Sequence, residues 1–445
     1  MAMEPVTPRA EFCRWQAVQA GEKRRPRILY VTANLPYGPG EAFVIPEVKE
    51  LLRRGCEVRI VPRSPMEQIV HKDAAELQEH CTARPLMGWD VLKGALQEIF
   101  LRPRGAFRAW AVLFRNSNWA TFAKNLAVYA KGLWLGGMAR SWQADHIHVH
   151  WVSTPATMAM VASIVSQTPW SCTAHRADIH LNNLLAEKLR HASFVRFISR
   201  SGWRMAASLG ALPEARNAAV MHMGGNVPSE AAVPSSPVLR SVILCPANLY
   251  AVKGHRYLIE ALALLRKRGV ECKLLLAGDG DLRAEIEAQV QRLDLADAVQ
   301  FLGQRSHSEI LAMYREGQVG MVVLPSVDLG HNLHEGIPVA LIEAMSYNIP
   351  VIGTSTGGTP ELLAGGAGQI VLDKNPAALA DAIERYVRDP ALAAEVGRNG
   401  RCRVLESFNV VTVVSQLLER IFPSHSSSES HMPPPKVTMG FARRH

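Results

Sequence analysis

Between His334 and Met345 the chain reads His-Glu-Gly-Ile-Pro-Val-Ala-Leu-Ile-Glu-Ala-Met, which sets two carboxylates, Glu335 and Glu343, eight positions apart around a predicted helix start. Pro338 suits the first helical position, where its missing N–H is no loss, so Glu335 is expected in the preceding loop and Glu343 in the second turn. At a rise of ~1.5 Å per residue, Pro338 and Glu343 stand roughly 7.5 Å apart, comparable to the separation of sugar and ribose in a nucleotide-sugar. The amides of Gly336 and Ile337 lie between them, and unpaired N–H groups at a helix N-terminus form an anion site suited to a diphosphate. Strand signals at Met321–Leu324 and at Val351-Ile352 make this a βαβ unit. Its loops then fall at the C-terminal ends of the strands, where open α/β sheets bind ligands.

Two glutamates at this spacing alone usually mark a solvated helix face. Here they are followed by Asn348-Ile349-Pro350-Val351-Ile352-Gly353-Thr354 and then Gly357-Gly358-Thr359-Pro360-Glu361-Leu362. That ordered series resembles the donor-site signature of family 4 retaining glycosyltransferases. The resemblance covers most of Arg27 to Leu418. It continues through Ala247-Asn248-Leu249 with Lys253-Gly254, Leu276 to Arg283, and Val299 to Gly303. In the first half it rests on Thr173-Ala174-His175 with Asp178-Ile179, and on Asp145 to Trp151. Glu41 to Glu47 is similar to exopolysaccharide and colanic-acid-type members.

The resemblance implies an α/β chain of GT-B fold, two facing Rossmann-like domains with parallel sheets and an interdomain cleft. It also implies retaining transfer from a nucleotide-diphosphate sugar, the donor substrate, with no other cofactor and no essential metal. The donor crevice is expected to work with cations and helix amides rather than an Asp-x-Asp metal motif. Glu335 would hold donor-sugar hydroxyls, His175 sugar and phosphate, and Lys253 the diphosphate; Glu343 would take the ribose. Gly336, Ile337, Pro338, Asn248, Gly278 and Gly303 would line the nucleotide. The family usually has an arginine at the place of Asn248, five positions before Lys253. A neutral amide there removes a bidentate, permanently charged phosphate ligand, for which Arg256 and Arg305 are nearby candidates. His148 and His150 alternate on one strand face, a position more often hydrogen-bonded structure than chemistry.

The 445 residues exceed what one hydrophobic core usually organises, and 48% apolar with 20% charged residues is ordinary for a globular chain. The seven cysteines are scattered and never in Cys-x-x-Cys spacing, which argues against a zinc site or a disulfide framework and for a reducing, cytoplasmic setting. The net charge of +9 is not arrayed as a nucleic-acid recognition element, and no nucleic-acid partner is expected. Neither a signal peptide nor a spanning segment is legible.

The expected organisation is a polar extension over 1–26, an acceptor domain over 27–226, a Pro/Ser/Ala-rich linker over 227–240, a donor domain over 241–422 and a disordered tail over 423–445. The last helix of the donor domain is expected to pack back on the first domain. Gly38-Pro39-Gly40 after the first strand would be a tight turn or a close approach to acceptor or phosphate.

Arg102 to Arg140 contains seven Lys or Arg and no Asp or Glu, interleaved with Phe107, Trp110, Phe114, Trp119, Phe122, Tyr129 and Trp134. Such a mixture suits the headgroup region of an anionic bilayer. It would place the protein on the inner face of the cell membrane, with a saccharide or polyprenyl-diphosphate-linked acceptor. Two alternatives share the fold: a sugar-nucleotide epimerase and a catalytically silent nucleotide-sugar-binding module. A nicotinamide oxidoreductase is disfavoured, because no Gly-x-Gly-x-x-Gly follows the first strand.

Overall fold

The computed structural model describes residues 24–37, 41–66, 68–69, 72–115, 119–211, 217–230, 241–330 and 334–423. The Gly38-Pro39-Gly40 turn, most of the 1–26 extension, the 231–240 part of the linker and nearly all of the tail lie outside them.

Among the described residues, twelve strands form two all-parallel sheets. The first runs β2-β1-β3-β4-β5-β6, from β1 (Arg27–Thr32), β2 (Glu57–Pro62), β3 (His146–His150), β4 (Trp170–Ala174), β5 (Phe194–Phe197) and β6 (Ala218–Val220). The second runs β12-β11-β10-β7-β8-β9, from β7 (Val242–Pro246), β8 (Lys273–Ala277), β9 (Val299–Gly303), β10 (Met321–Leu324), β11 (Val351–Thr354) and β12 (Gln369–Val371). Helices on both faces bury these strands, which is why they read as nearly continuous apolar runs and not as alternations. The expected α/β architecture with two Rossmann-like halves is what the chain adopts.

Each sheet has its own core, and the last helix, Val410–Ile421, joins that of the first: Val410, Val413, Val414, Leu417 and Leu418 pack in one cluster with Ile28, Tyr30 and Ile60. Within β3, three consecutive inward positions are histidine, an expensive choice in a buried strand unless each ring finds partners. Ser171 Oγ lies 2.7 Å from His146 Nε2 and 2.9 Å from His148 Nδ1, and Thr173 Oγ1 lies 3.1 Å from His148 Nε2. These two rings stitch β3 to β4 and are structural.

One local boundary differs from expectation. Pro338 has extended backbone (φ −75°, ψ 112°) and caps the helix, which begins at Val339. The Pro338 carbonyl accepts from both Leu341 N and Ile342 N, so the proline stands just outside the first turn.

Candidate functional site

Strand order reverses at β7 in the second sheet, since β8 lies on one side and β10 on the other. The loops after β7 and β10 therefore flank a switch-point crevice. Lys253 comes from the first loop and Glu335 from the second, and Lys253 Nζ donates to Glu335 Oε2 at 2.6 Å. Ser326 Oγ lies 3.3 Å from the same oxygen.

Two glycines set this geometry. Gly254 has φ +67°, and a Cβ there would lie 2.0 Å from the Pro325 carbonyl oxygen, so only glycine lets the Lys253 turn close against the end of β10. Gly357 has φ +56°, and its Cβ would lie 1.8 Å from the Glu335 carbonyl oxygen. The loop after β11 thus clamps the Glu335 backbone, and Gly358 N donates to Gly336 O at 3.0 Å. The amides of Gly336 and Ile337 donate to no carbonyl among the described residues, and Gly336 is exposed.

Glu343 lies in the second turn of the Val339–Ser346 helix, where its Oε1 accepts from His307 Nε2 at 2.9 Å. That hydrogen bond holds the His307 imidazole above its ordinary pKa despite partial burial. Nothing in the sequence reading pointed to His307. The available signal was the capping box of Ser306 and Glu309, which fixes a helix start immediately before it. Gly278 and Gly303 stand side by side, Gly278 N donating to Gly303 O at 3.0 Å, and Gly278 packs against the Ala247 and Asn248 backbone. The Asn248 side chain is exposed.

Neither candidate substitute for the missing arginine reaches the pair. Arg305 bonds Glu309 at 3.0 Å, and Arg256 stacks on Tyr257 at 5.4 Å. One expectation is corrected by the chain itself: Asp279-Gly280-Asp281 at the end of β8 does have Asp-x-Asp spacing, with Asp279 Oδ1 accepting Gly280 N at 2.8 Å.

The first sheet supplies His175 at the end of β4. Asp178 fixes this loop, taking His175 N at 2.8 Å and Val152 N at 2.5 Å. His175 Nε2 lies 2.6 Å from His150 Nε2, and the ring packs against Trp151 at 4.4 Å between centroids and against Phe43 at 5.4 Å. Burial first, then the Arg196 charge, pushes His175 down to about 3. At neutral pH it is an uncharged hydrogen-bonding ring. His150, read from the sequence as structural, is the one β3 histidine that touches the site. Arg176 follows His175 and reaches across to the second domain, its Nη1 lying 2.6 Å from His334 Nδ1.

The cationic helices divide in two. Lys131 is fully buried and donates to the carbonyls of Pro62, Arg63 and Arg84 at 2.6, 2.9 and 2.5 Å. Arg140 forms a two-point ion pair with Glu98 at 2.5 Å. These two serve the fold, not a surface, and so does the buried Phe122. Arg102, Arg104, Arg108 and Lys124 are exposed. So are Phe107 (65%), Trp110, Phe114 and Trp119 (78%), which the buried Phe122 ring links into one cluster across the Pro103–Leu113 and Trp119–Ser141 helices. Among the described residues no helix is long and apolar enough to cross a membrane.

Comparison with known proteins shows what the chain is similar to. Residues 230–403 match the family model "Glycosyl transferases group 1". The chain is 26% identical over 397 residues to the putative colanic acid biosynthesis glycosyltransferase WcaL of Escherichia coli, covering 85% of this chain and 95% of that protein. It is 33% identical over 162 residues to the alpha-D-kanosaminyltransferase of Streptomyces kanamyceticus, a match that spans 36% of this chain and only 40% of that protein's length. Among solved structures, Anabaena Alr3699/HepE in complex with UDP superposes with a TM-score of 0.60 at 19% identity, covering 88% of this chain and 98% of that one.

Proposed function

Starting from residues 230–403 as a glycosyl transferases group 1 domain within a GT-B fold, we propose that the chain transfers a sugar, with retention, from a nucleotide-diphosphate sugar to a lipid-linked saccharide acceptor in polysaccharide assembly. The observation that carries this is the Lys253–Glu335 pair at 2.6 Å. It puts a diphosphate-seeking cation and a hydroxyl-seeking carboxylate side by side, next to the amides of Gly336 and Ile337, which donate to no carbonyl among the described residues.

The physical problem of the reaction is charge on the leaving group. As the glycosidic bond breaks, the nucleoside diphosphate gains negative charge, which Lys253 and the helix-entry amides stabilise more than they do the intact donor. Glu335 orients the sugar, Glu343 the ribose, and neutral His175 contacts the sugar from the opposite domain. The leaving phosphate itself takes the acceptor proton, so no further base and no metal is required. The aromatic and cationic face of the first domain would hold the enzyme on an anionic leaflet, where a polyprenyl-diphosphate acceptor resides.

The test is transfer and hydrolysis across a panel of UDP-, GDP- and ADP-sugars, beginning with UDP because the Anabaena neighbour binds it. Glu335→Ala should lose transfer by orders of magnitude while remaining folded, and Glu343→Ala should chiefly raise the nucleotide Kd. Product anomers should match the donor, and turnover should survive excess EDTA. An inverted product, a metal requirement, or wild-type rates in both folded variants would each overturn part of this reading. A silent binding module is favoured by one observation, the neutral, exposed Asn248, and it predicts nucleotide binding without any turnover.

A further inference from the structure

The first sheet has a switch point of its own. Its order reverses at β1, which lies between β2 and β3, so the loops after these three strands flank a second crevice on the first domain. In the loop after β1, three consecutive amides converge on the buried Glu41 carboxylate: Ala33 N donates to Oε1 at 3.0 Å, and Asn34 N and Leu35 N donate to Oε2 at 2.6 and 2.7 Å. Trp151 Nε1, from the loop after β3, adds a fourth donor at 2.6 Å. Such a run of amides is an anion nest, and here the chain fills it with its own side chain.

Arg63, from the loop after β2, keeps unused donors. Its Nη1 donates to Thr154 Oγ1 at 3.0 Å, its Nε is buried without a partner, and its Nη2 bonds none of the described residues. Glu41 attracts it at longer range, yet both carboxylate oxygens are taken by the amides and the indole. Lys131 lies behind, donating to the Arg63 carbonyl at 2.9 Å, and its other two partners are carbonyls as well. Two cations therefore share one carboxylate. A shut-in N–H costs about 1–3 kcal/mol until it finds an acceptor, and the group that suits Nε and Nη2 together is a two-point oxyanion.

We propose that this crevice is the anion site for the acceptor, with the Arg63 guanidinium engaging the acceptor's diphosphate through Nε and Nη2. The assignment rests on the lipid-linked acceptor reading above and names the group that holds that acceptor. Because Glu41 already occupies the amides, recognition falls to the guanidinium. The site also stands beside the chemistry: the Trp151 indole that bonds Glu41 packs on His175 at 4.4 Å between centroids, and the parallel strands bring all these loops to one edge of the sheet.

The experiment is calorimetric titration of farnesyl diphosphate, inorganic pyrophosphate and farnesol into the full chain and into Arg63→Ala, Arg63→Gln, Arg63→Lys and Lys253→Ala, with UDP, GDP and ADP titrated in parallel and denaturant midpoints reporting folding. Arg63→Ala should weaken farnesyl diphosphate about tenfold to a hundredfold. Arg63→Gln, which keeps an N–H but loses the charge, should do the same and serves if the alanine variant does not fold. Arg63→Lys should fall between them and wild type, since it keeps the charge without the two-point geometry. If Lys253→Ala loses farnesyl diphosphate and pyrophosphate while the Arg63 variants keep both, the anion sits in the donor crevice and the proposal is overturned. Farnesol binding as tightly as farnesyl diphosphate would show that the tail is recognised and not the diphosphate, which also overturns it. If farnesyl diphosphate binds wild type and the folded Arg63 variants alike, the lipid-linked acceptor reading stands and Arg63 is excluded. If a nucleoside diphosphate binds but neither farnesyl diphosphate nor pyrophosphate does, the donor reading stands and the acceptor site fails.

Discussion

Glu47 and Glu335 show how one residue type serves two ends. Glu47 is buried, takes the Tyr30 hydroxyl at 2.6 Å and pairs with Arg196 at 2.5 Å, so the segment that resembles exopolysaccharide-type members contributes this carboxylate to the first core. Breaking a buried pair by removing one partner leaves the other charge uncompensated, at a cost of about 3–5 kcal/mol. Glu47→Ala should therefore lower the denaturation midpoint sharply, whereas Glu335→Ala should hardly move it; denaturant titration of both separates the roles. The His307–Glu343 pair makes a pH prediction. A histidine whose folded pKa is raised adds stability that is fully present below its unfolded value of about 6.5 and is lost as pH climbs through the higher folded value. His307 is largely exposed, so the effect is at most about 1 kcal/mol. Thermal melts from pH 5 to 9 should show wild type losing its small advantage over His307→Ala as pH rises; an advantage that grows with pH would contradict the assignment.

At the scale of elements, the site depends on one loop pressing on another. The Gly357-Gly358 turn after β11 packs on the Glu335–Ile337 backbone, which fixes the carboxylate and the two amides before any ligand arrives. Gly357→Ala would combine a left-handed φ of +56° with a Cβ 1.8 Å from the Glu335 carbonyl oxygen, so the Glu335 loop must shift. The expected result is a fall in kcat of at least about a hundredfold, since misplacement by ~1 Å has that effect, with the far-ultraviolet circular dichroism unchanged. Wild-type turnover in a folded Gly357→Ala protein would show that the clamp does not set the site. The cationic helices carry a parallel lesson. Lys131, on the same helix as exposed Lys124, is held down to a pKa of about 8 by burial and satisfies three carbonyls; replacing it perturbs the fold and not a surface.

For the whole molecule, the two domains touch through polar contacts as well as the final helix. Glu361 takes Arg200 N at 2.8 Å and His222 Nε2 at 2.9 Å, and Arg176 meets His334 beside the site. The face formed by Phe107, Trp110, Phe114 and Trp119 points to solvent, with Arg102, Arg104, Arg108 and Lys124 around it. Each exposed cation near an anionic leaflet contributes about 1 kcal/mol, so the proposed peripheral binding would draw on four of them together with the aromatic rings. Sedimentation with anionic vesicles should recover the protein, less so as salt rises. Recovery should drop when Trp110, Phe114 and Trp119 become Ser, or when Arg108 and Lys124 become Gln. Equal recovery on neutral vesicles, or none on either, would favour a water-soluble acceptor.

The strands, the two-part α/β organisation and the loop positions of Glu335, Lys253 and His175 were legible in the sequence, because each depends on local chemistry: runs of apolar residues, glycine turns and proline at a helix entry. The ion pair of Lys253 and Glu335 joins residues 82 positions apart, and only the reversal of strand order at β7 brings their loops together. Cross-strand and cross-domain pairs escaped the sequence for the same reason. His150 meets His175 because β3 lies beside β4, and Arg176 meets His334 because two separately folded sheets face each other. Nor could local sequence sort the seven cations of Arg102 to Arg140. Burial of Lys131 and the pairing of Arg140 with Glu98 follow from which side of a helix meets a neighbour, and that choice is made only when the helices pack.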